Sequence, residues 1–261
     1  MNAPPKRIRL VVPTTGHRLP YLQQCLDSIR RQDGSIEVVI VAPVAAAADL
    51  RVLAERYSCQ LLLERGRGIS NAVNQAWEDA QTEYLAWLGD DDLLADGSVS
   101  AAVAELEKNP TAVMVYGRVR VIDAHDNHVF TMRPGKYAPS LLRYGPNFVW
   151  QPGSVYRNTA VRAVGMLDPS LRYAMDFDLH LRLRQKGELK YIPRLLASFR
   201  CHPTSLTVTN PEPVGEPRLV VRRNLGPVAR SWERCWWPVV KNAGRIWGSV
   251  QLRTGRRHNW C

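Results

Sequence analysis

Residues 84–92 read YLAWLGDDD: an apolar run, a glycine, then Asp90, Asp91 and Asp92 in succession. A short apolar run bounded by a turn signal predicts a buried β-strand. Three adjacent carboxylates at its end repel one another. Holding them there costs energy unless a cation or hydrogen-bond donors neutralise them. Hard divalent ions such as Mg²⁺ or Mn²⁺ take oxygen ligands and bridge to phosphates. A metal-binding turn is therefore one reading, and a solvated acidic turn capping the next helix is the other.

The flanking sequence places this turn in a fold. Residues 8–12 (IRLVV) form another buried run, which stops at Pro13, Thr14, Thr15 and Gly16. Leu19, Leu22, Leu26 and Ile29 recur at helical spacing over 19–31. Residues 36–41 predict a second strand, 45–57 a helix, 60–63 a short strand, and 69–80 a helix with Ser70 as its cap. Strands alternating with helices imply βαβ units, hence an α/β protein with a mostly parallel central sheet flanked by helices. Ligands of such sheets bind beyond the carboxyl ends of the strands. Pro13 and Thr14 follow the first strand and the acidic turn follows the fourth, so both fall on that edge. Downstream, the pattern predicts a helix over 97–108 and a β-hairpin from 112–122 and 128–132. A loop with short helical pieces follows over 133–153, then a helix over 176–185 and strands over 189–192 and 197–200. Residues 203–217 are Pro-rich and read as a linker. The expected division is a catalytic domain over 1–209 and a linker with a C-terminal tail over 210–261.

The 261 residues are 45% hydrophobic and 23% charged, an ordinary globular balance. A chain this long builds a core without disulfides or structural metals. Its five cysteines are scattered and form no C-x-x-C pair, which argues against a disulfide framework or zinc site and for a reducing cytosol. The first apolar run is too short for a signal peptide or anchor, and no stretch approaches the roughly 18 apolar residues of a membrane span. There is no Walker motif and no G-x-G-x-x-G. The loop after the first strand is a poor Gly-rich phosphate loop, which counts against a nucleotidyltransferase.

Two more features carry chemistry. Asp176 and Asp178 open an amphipathic helix. Acids there serve as caps and dipole partners, or Asp176 is a general base. Phe199-Arg200-Cys201-His202-Pro203 carries a histidine that is either structural or a ligand.

Taken in order, these motifs resemble those of glycosyltransferase family 2, the inverting enzymes of the GT-A fold, over about residues 8–205. The family's R-G-x-x-x-A-x-N is similar to 67–74, with Arg67, Asn71 and Asn74. Its L-D-x-D-D metal motif is matched by Asp91 and Asp92, with Gly89 in place of the first Asp and Asp90 available as a substitute. Its E-D-x-D-L-x-L-R base motif is matched by Asp176, Asp178 and Arg182, and its Y-R-x-H-x-x-S by Arg200, His202 and Ser205. The resemblance implies transfer of a sugar from a UDP- or GDP-sugar to an acceptor hydroxyl with inversion. It implies Mn²⁺ or Mg²⁺ held by Asp91, Asp92 and His202, with Asp176 as the base. Donor contacts are expected from Pro13, Thr14, Arg67, Asn71, Asn74 and Asp90, and an acceptor pocket from 150–154. The family's nucleotide-base Asp is absent from Val41-Ala42-Pro43-Val44-Ala45. Base recognition then falls to backbone around 13–15, or to Arg65 and Arg67. That absence and Gly89 also admit a non-catalytic relative serving as a membrane-associated partner.

Most of the formal +11 charge lies in the tail, where 218–261 hold ten Arg and Lys against one acid, Glu233. Five of the eight tryptophans lie there too: Trp232, Trp236, Trp237, Trp247 and Trp260. Arg interleaved with Trp predicts contact with an anionic membrane surface, at about 1 kcal/mol per basic residue. The expectation is a protein of the cytoplasm, peripheral at the inner face of the cell membrane, acting on a saccharide or lipid-linked saccharide of bacterial polysaccharide or glycolipid assembly. A basic helical piece packed on the catalytic domain is the alternative. No nucleic-acid module accompanies the tail, and no nucleic acid is expected as a partner.

Overall fold

The computed structural model describes residues 7–33, 35–145, 147–205 and 215–226, together with 230, 231, 237 and 238. Its centre is a nine-stranded sheet. Four strands, β1 (Ile8–Pro13), β2 (Ile36–Ala42), β3 (Gln60–Leu63) and β4 (Tyr84–Trp87), run parallel in the order β3-β2-β1-β4. The connections carry α1 (Leu19–Arg30), α2 (Ala47–Tyr57) and α3 (Ile69–Trp77). Alternation along β1 shows why its run is apolar but for Arg9, which is buried and paired with Glu37 and Asp79. Ile8, Leu10 and Val12 pack with Leu22 and Leu26 of α1, while Val11 points to the other side, against Val73 and Trp77 of α3. A strand covered on both faces has no polar side to show.

The other half of the sheet is mixed. β8 (Val155–Arg157) lies antiparallel between β4 and β6 (Ala112–Ile122). β9 (Glu188–Arg200) runs parallel to β6, and the two-residue β5 (Leu93–Leu94) closes the edge antiparallel to β9. β7 (His128–Met132) forms the expected hairpin with β6. The remaining helices are α4 (Ser98–Lys108), α5 (Ala138–Leu142), α6 (Asn158–Ala163), α7 (Met175–Leu183) and α8 (Glu216–Asn224).

Three local expectations are corrected. The two strands expected over 189–192 and 197–200 are one, because Pro193 sits in a bulge. Tyr116 faces Tyr191 and Arg118 faces Leu195, so β9 carries extra residues where proline lacks an N–H to give. Ser70 does not cap α3. The cap is Gly68 at φ 95°, a conformation glycine adopts readily, and Ser70 is buried in the first turn. The cysteines do not all stay unpaired: Cys25 and Cys59 are free, but Cys201 is disulfide-bonded.

Of the stretch expected as linker and tail, residues 206–214 and Trp232, Trp236, Trp247 and Trp260 lie outside the described residues. The described part is docked. Val220, Val221 and Leu225 are buried in the same cluster as α3 and α7, and Trp237 packs partly buried against it. Among the described residues no helix is long and apolar enough to cross a membrane. Each buried valine of α8 truncated to alanine loses two methyl groups, so Val220→Ala and Val221→Ala should each destabilise the protein by about 2 kcal/mol. Urea melts with an unchanged midpoint in both variants would show that α8 does not belong to the folded core.

Candidate active site

β1 and β4 are adjacent and parallel, with Val11 opposite Trp87, so their carboxyl ends emerge side by side. The Leu88 N–H donates to Val11 O at 2.9 Å and extends the pairing into the acidic turn. Thr14, the first residue after β1, therefore reaches the turn, and its hydroxyl donates to Asp90 Oδ2 at 2.5 Å. β5 follows the turn and pairs with Ser198 and Ala197. That pairing brings the end of β9 alongside, where the Arg200 N–H donates to Asp92 Oδ1 at 3.0 Å.

All three carboxylates are largely withdrawn from water: Asp90 and Asp92 are 2% and 4% exposed, and the Asp91 side chain 14%. Burial raises the pKa of Asp90, against the pull of the Arg18 charge. Burial, and then the charge of Asp91, push Asp92 well above the usual carboxylate range. Cations gather from other elements in response. Arg18, at the start of α1, donates to Asp90 Oδ1 at 2.5 Å and to Asp91 Oδ2 at 2.9 Å. His202 Nε2 lies 2.9 Å from the same Asp91 oxygen, and its Nδ1 lies 3.0 Å from the Thr204 hydroxyl. Arg200 has a fully buried side chain and sits under the turn. It donates to Asp91 O at 2.9 Å, Gln24 Oε1 at 2.6 Å and Asp126 Oδ1 at 2.5 Å, and lies over the Tyr21 ring. Neither arginine is assigned a role by sequence reasoning. The signal for Arg18 is its place on the loop edge beside the acids. That for Arg200 is an invitingly buried position, at the end of a strand, which a long cation takes only when paired.

The residues present fit a divalent ion in part. Gly89 leaves a cradle that a Cβ would fill, lying 2.8 Å from Asp91 Oδ1 and 3.0 Å from Asp92 Oδ2. Asp91 Oδ2 and His202 Nε2 stand 2.9 Å apart, and adjacent ligands of an octahedral ion at about 2.1 Å lie about 3 Å apart. Among the described residues no group of three or more His, Cys, Asp or Glu side chains is arranged around one ion position. Mg²⁺-type sites that use one or two carboxylates draw the remaining ligands from water and substrate phosphates.

The other expected donor residues are more scattered. Pro13 ends β1 beside the turn. Arg67 is exposed, and its carbonyl accepts from Asn71 Nδ2 at 2.7 Å. Asn74 is committed to the backbone of Leu167, donating to its O at 2.8 Å and accepting from its N at 3.0 Å. That tie holds α3 to the segment leading into α7. Beyond the acid-free loop after β2, the nearest strand end carries Glu64. Its N–H bonds Ala42 O at 2.9 Å, and burial raises its carboxyl pKa.

Asp176 lies in the first turn of α7, partly buried, with Oδ2 accepting from Asn147 Nδ2 at 3.3 Å. The loop that carries Asn147 also carries Gln151, which donates to Trp87 O at 2.5 Å, so one loop spans from Asp176 to the acidic turn. Trp150 on that loop packs edge-on against Phe130 and Phe199. Asp178 is a clamp: it pairs with Arg182 at 2.7 Å, and Arg182 also holds the carbonyls of Val164 and Met166. His180 is a core residue, 3.1 Å from the Tyr156 hydroxyl, and burial lowers its pKa to about 3. The start of α7 is held from the C-terminal segment. Glu216 accepts from the N–H groups of Arg172 at 3.0 Å, Tyr173 at 2.8 Å and Ala174 at 3.0 Å. α7 has no side-chain cap of its own.

Comparison with known proteins agrees with this arrangement. The family model described as glycosyl transferase family 2 matches residues 10–165. An uncharacterized glycosyltransferase of Rickettsia typhi is 23% identical over 199 residues, 72% of this chain and 62% of that protein. Chondroitin synthase of Escherichia coli is 24% identical over 182 residues, 67% of this chain and 26% of that protein. The chain thus spans less than two thirds of the length of these curated relatives. Among solved structures, S. aureus TarS 1–349 in complex with UDP-GlcNAc superposes with a TM-score of 0.66 at 13% identity, over 91% of this chain and 73% of that one. The mannosyltransferase PcManGT from Pyrobaculum calidifontis, with GDP-Man and Mn²⁺, gives 0.59 at 15% identity over 96% and 76%. The fold is the expected GT-A architecture.

The Glu216 clamp is open to a direct check. Glu216→Gln removes the charge and should raise amide exchange at Arg172, Tyr173 and Ala174 by about tenfold or more, since hydrogen bonds to a charged acceptor contribute about 1.5–3 kcal/mol. Amides of β1 and β4 should be unaffected. Equal protection in both proteins would remove the clamp.

Proposed function

The chain belongs to glycosyl transferase family 2, and on that premise we propose that it moves a sugar from a UDP- or GDP-sugar to an acceptor hydroxyl, with inversion and with Mn²⁺ or Mg²⁺. The observation that carries this reading is the acidic turn at the carboxyl ends of β1 and β4, where His202 Nε2 stands 2.9 Å from Asp91 Oδ2 and the Asp91 and Asp92 carboxylates flank Gly89. A divalent ion on Asp91 and His202, with Asp92 beside them, would supply the positive charge that a departing nucleoside diphosphate requires. The site calls for such a charge. Arg18 pairs with Asp90 and Asp91, while the Arg200 guanidinium pairs with Asp126, so a diphosphate bound at the turn would face carboxylates. Two structural neighbours were solved as complexes with UDP-GlcNAc and with GDP-Man and Mn²⁺, which supports a donor of this class.

This chain's residues do the rest. Thr14 and the β1 loop line the donor side and fix Asp90. Asp176 accepts the proton of the acceptor hydroxyl as that oxygen attacks the anomeric carbon from the face opposite the diphosphate. Asn147 orients its carboxylate, and Glu216 holds the helix that carries it. The acceptor in this reading is a saccharide or lipid-linked saccharide of polysaccharide or glycolipid assembly. Basic charge in the tail, with Leu219 43% exposed among Arg218, Arg222 and Arg223 on α8, favours an anionic membrane surface beside it. Residues 127–167 contain no acid, and there Tyr137 and Leu141 are exposed beside Lys136 and Arg143.

Asp91→Ala and Asp176→Asn should each lower transfer by about 10²–10⁴-fold while the protein stays folded. Asp176→Asn should keep its Mn²⁺-dependent thermal shift with the donor nucleotide, because only the base is lost. Nucleotide release from UDP- and GDP-sugars measures the first effect, and near-normal turnover of Asp176→Asn would sink the assignment of the base. Deleting 227–261, which spares α8, should release the protein from vesicles containing anionic lipid in a sedimentation assay. Undiminished sedimentation would remove residues 227–261 from the membrane reading, and sedimentation without anionic lipid dependence in the full chain would remove that reading altogether.

A further inference from the structure

Arg18 makes contacts that the proposed metal site also needs. One of its terminal nitrogens donates to Asp91 Oδ2 at 2.9 Å and lies 3.4 Å from His202 Nε2. The other donates to Asp90 Oδ1 at 2.5 Å. Asp91 Oδ2 and His202 Nε2 are themselves 2.9 Å apart, so a guanidinium nitrogen closes a triangle with the two ligand atoms. A second cation bound at those atoms would sit against a fixed positive charge, in a pocket whose acids are nearly dry. Arginine cannot relieve this by losing its proton.

The side chain is placed to leave. It is 25% exposed, whereas the other arginine of the site, Arg200, is fully buried and held by a backbone carbonyl and two side chains. Arg18 precedes the first turn of α1, outside the helix, so its rotation disturbs no helical hydrogen bond of its own side chain. Among the described residues, the hydrogen bonds and ion pairs of its side chain are all with the acidic turn and His202.

We propose that Arg18 is an exchangeable counter-ion of the acidic turn, which neutralises Asp90 and Asp91 before the donor arrives and competes with the divalent ion for Asp91 and His202. This rests on the metal assignment above. Two consequences follow from mass action. Metal alone binds weakly to the wild-type protein, because the carboxylates must first give up the guanidinium. Without Arg18 the acids are left uncompensated, so the metal-free protein loses stability and recovers it when metal binds.

The test uses the full chain with Mn²⁺ alone and no nucleotide, read by electron paramagnetic resonance of free Mn²⁺ and by thermal melting. Arg18→Met should bind Mn²⁺ at least tenfold more tightly than wild type. It should melt lower than wild type without metal and gain more from saturating Mn²⁺. Arg18→Lys keeps one charge without the fork that spans two carboxylates, and its affinity should fall between the two; it also serves should Arg18→Met not fold. Equal Mn²⁺ affinity in wild type and variants would overturn the competition while leaving the metal assignment standing. No binding of Mn²⁺ to wild type or either variant would overturn both.

Discussion

Three carboxylates are held almost out of water at the end of one strand, and much of the molecule is arranged around that cost. An isolated buried charge is expensive enough that a protein either pairs it or neutralises it. Here the pairing comes from parts of the chain far apart in sequence: Arg18 before α1, Arg200 and His202 at the end of β9, and Thr14 after β1. Each depends on a particular strand order. β1 must lie next to β4 for Thr14 to reach Asp90. β5 must pair with β9 for the Arg200 backbone to reach Asp92. The parallel half thus supplies Arg18 and Thr14 to the acidic turn, and the mixed half brings Arg200 and His202 to it.

The C-terminal segment enters the same logic from the other side. Glu216 opens α8 and holds the three residues that lead into α7, while Val220, Val221 and Leu225 anchor α8 in the core. The helix that carries Asp176 is therefore set by residues some forty positions downstream. Expected as a tail beyond the catalytic domain, α8 is positioned to govern where that carboxylate points.

What was legible in the sequence follows from range. The parallel half could be read because β1 and β4 are buried strands whose runs are apolar but for Arg9. The acidic turn could be read because its residues are contiguous. β8 and β5 could not. Val155–Arg157 and Leu93–Leu94 are too short for any periodicity, and they become strands only through partners such as Tyr84 and Ser198. Pro193 hid the continuity of β9, since a proline normally ends a strand and only the bulge against β6 tolerates it. Arg18 and Glu216 escaped for the same reason as β8. Nothing local distinguishes an arginine after a loop or a glutamate after a Pro-rich stretch from a solvated charge.

Gly89 shows how a departure from a motif can be part of the site. Read against the family pattern, a glycine in place of the first aspartate looks like a loss. In the structure a Cβ at that position would stand 2.8 Å from Asp91 Oδ1 and 3.0 Å from Asp92 Oδ2, so an aspartate there would make the carboxylates it was meant to join shift away. Asp90 is turned away to Thr14 and Arg18. With Asp90 directed to the β1 side and the residue before it reduced to a hydrogen, Asp91 and Asp92 can both face the space above Gly89. The glycine thus makes room for the two acids that remain, and the charge that a further aspartate would have added is carried by Asp90, already compensated by Arg18.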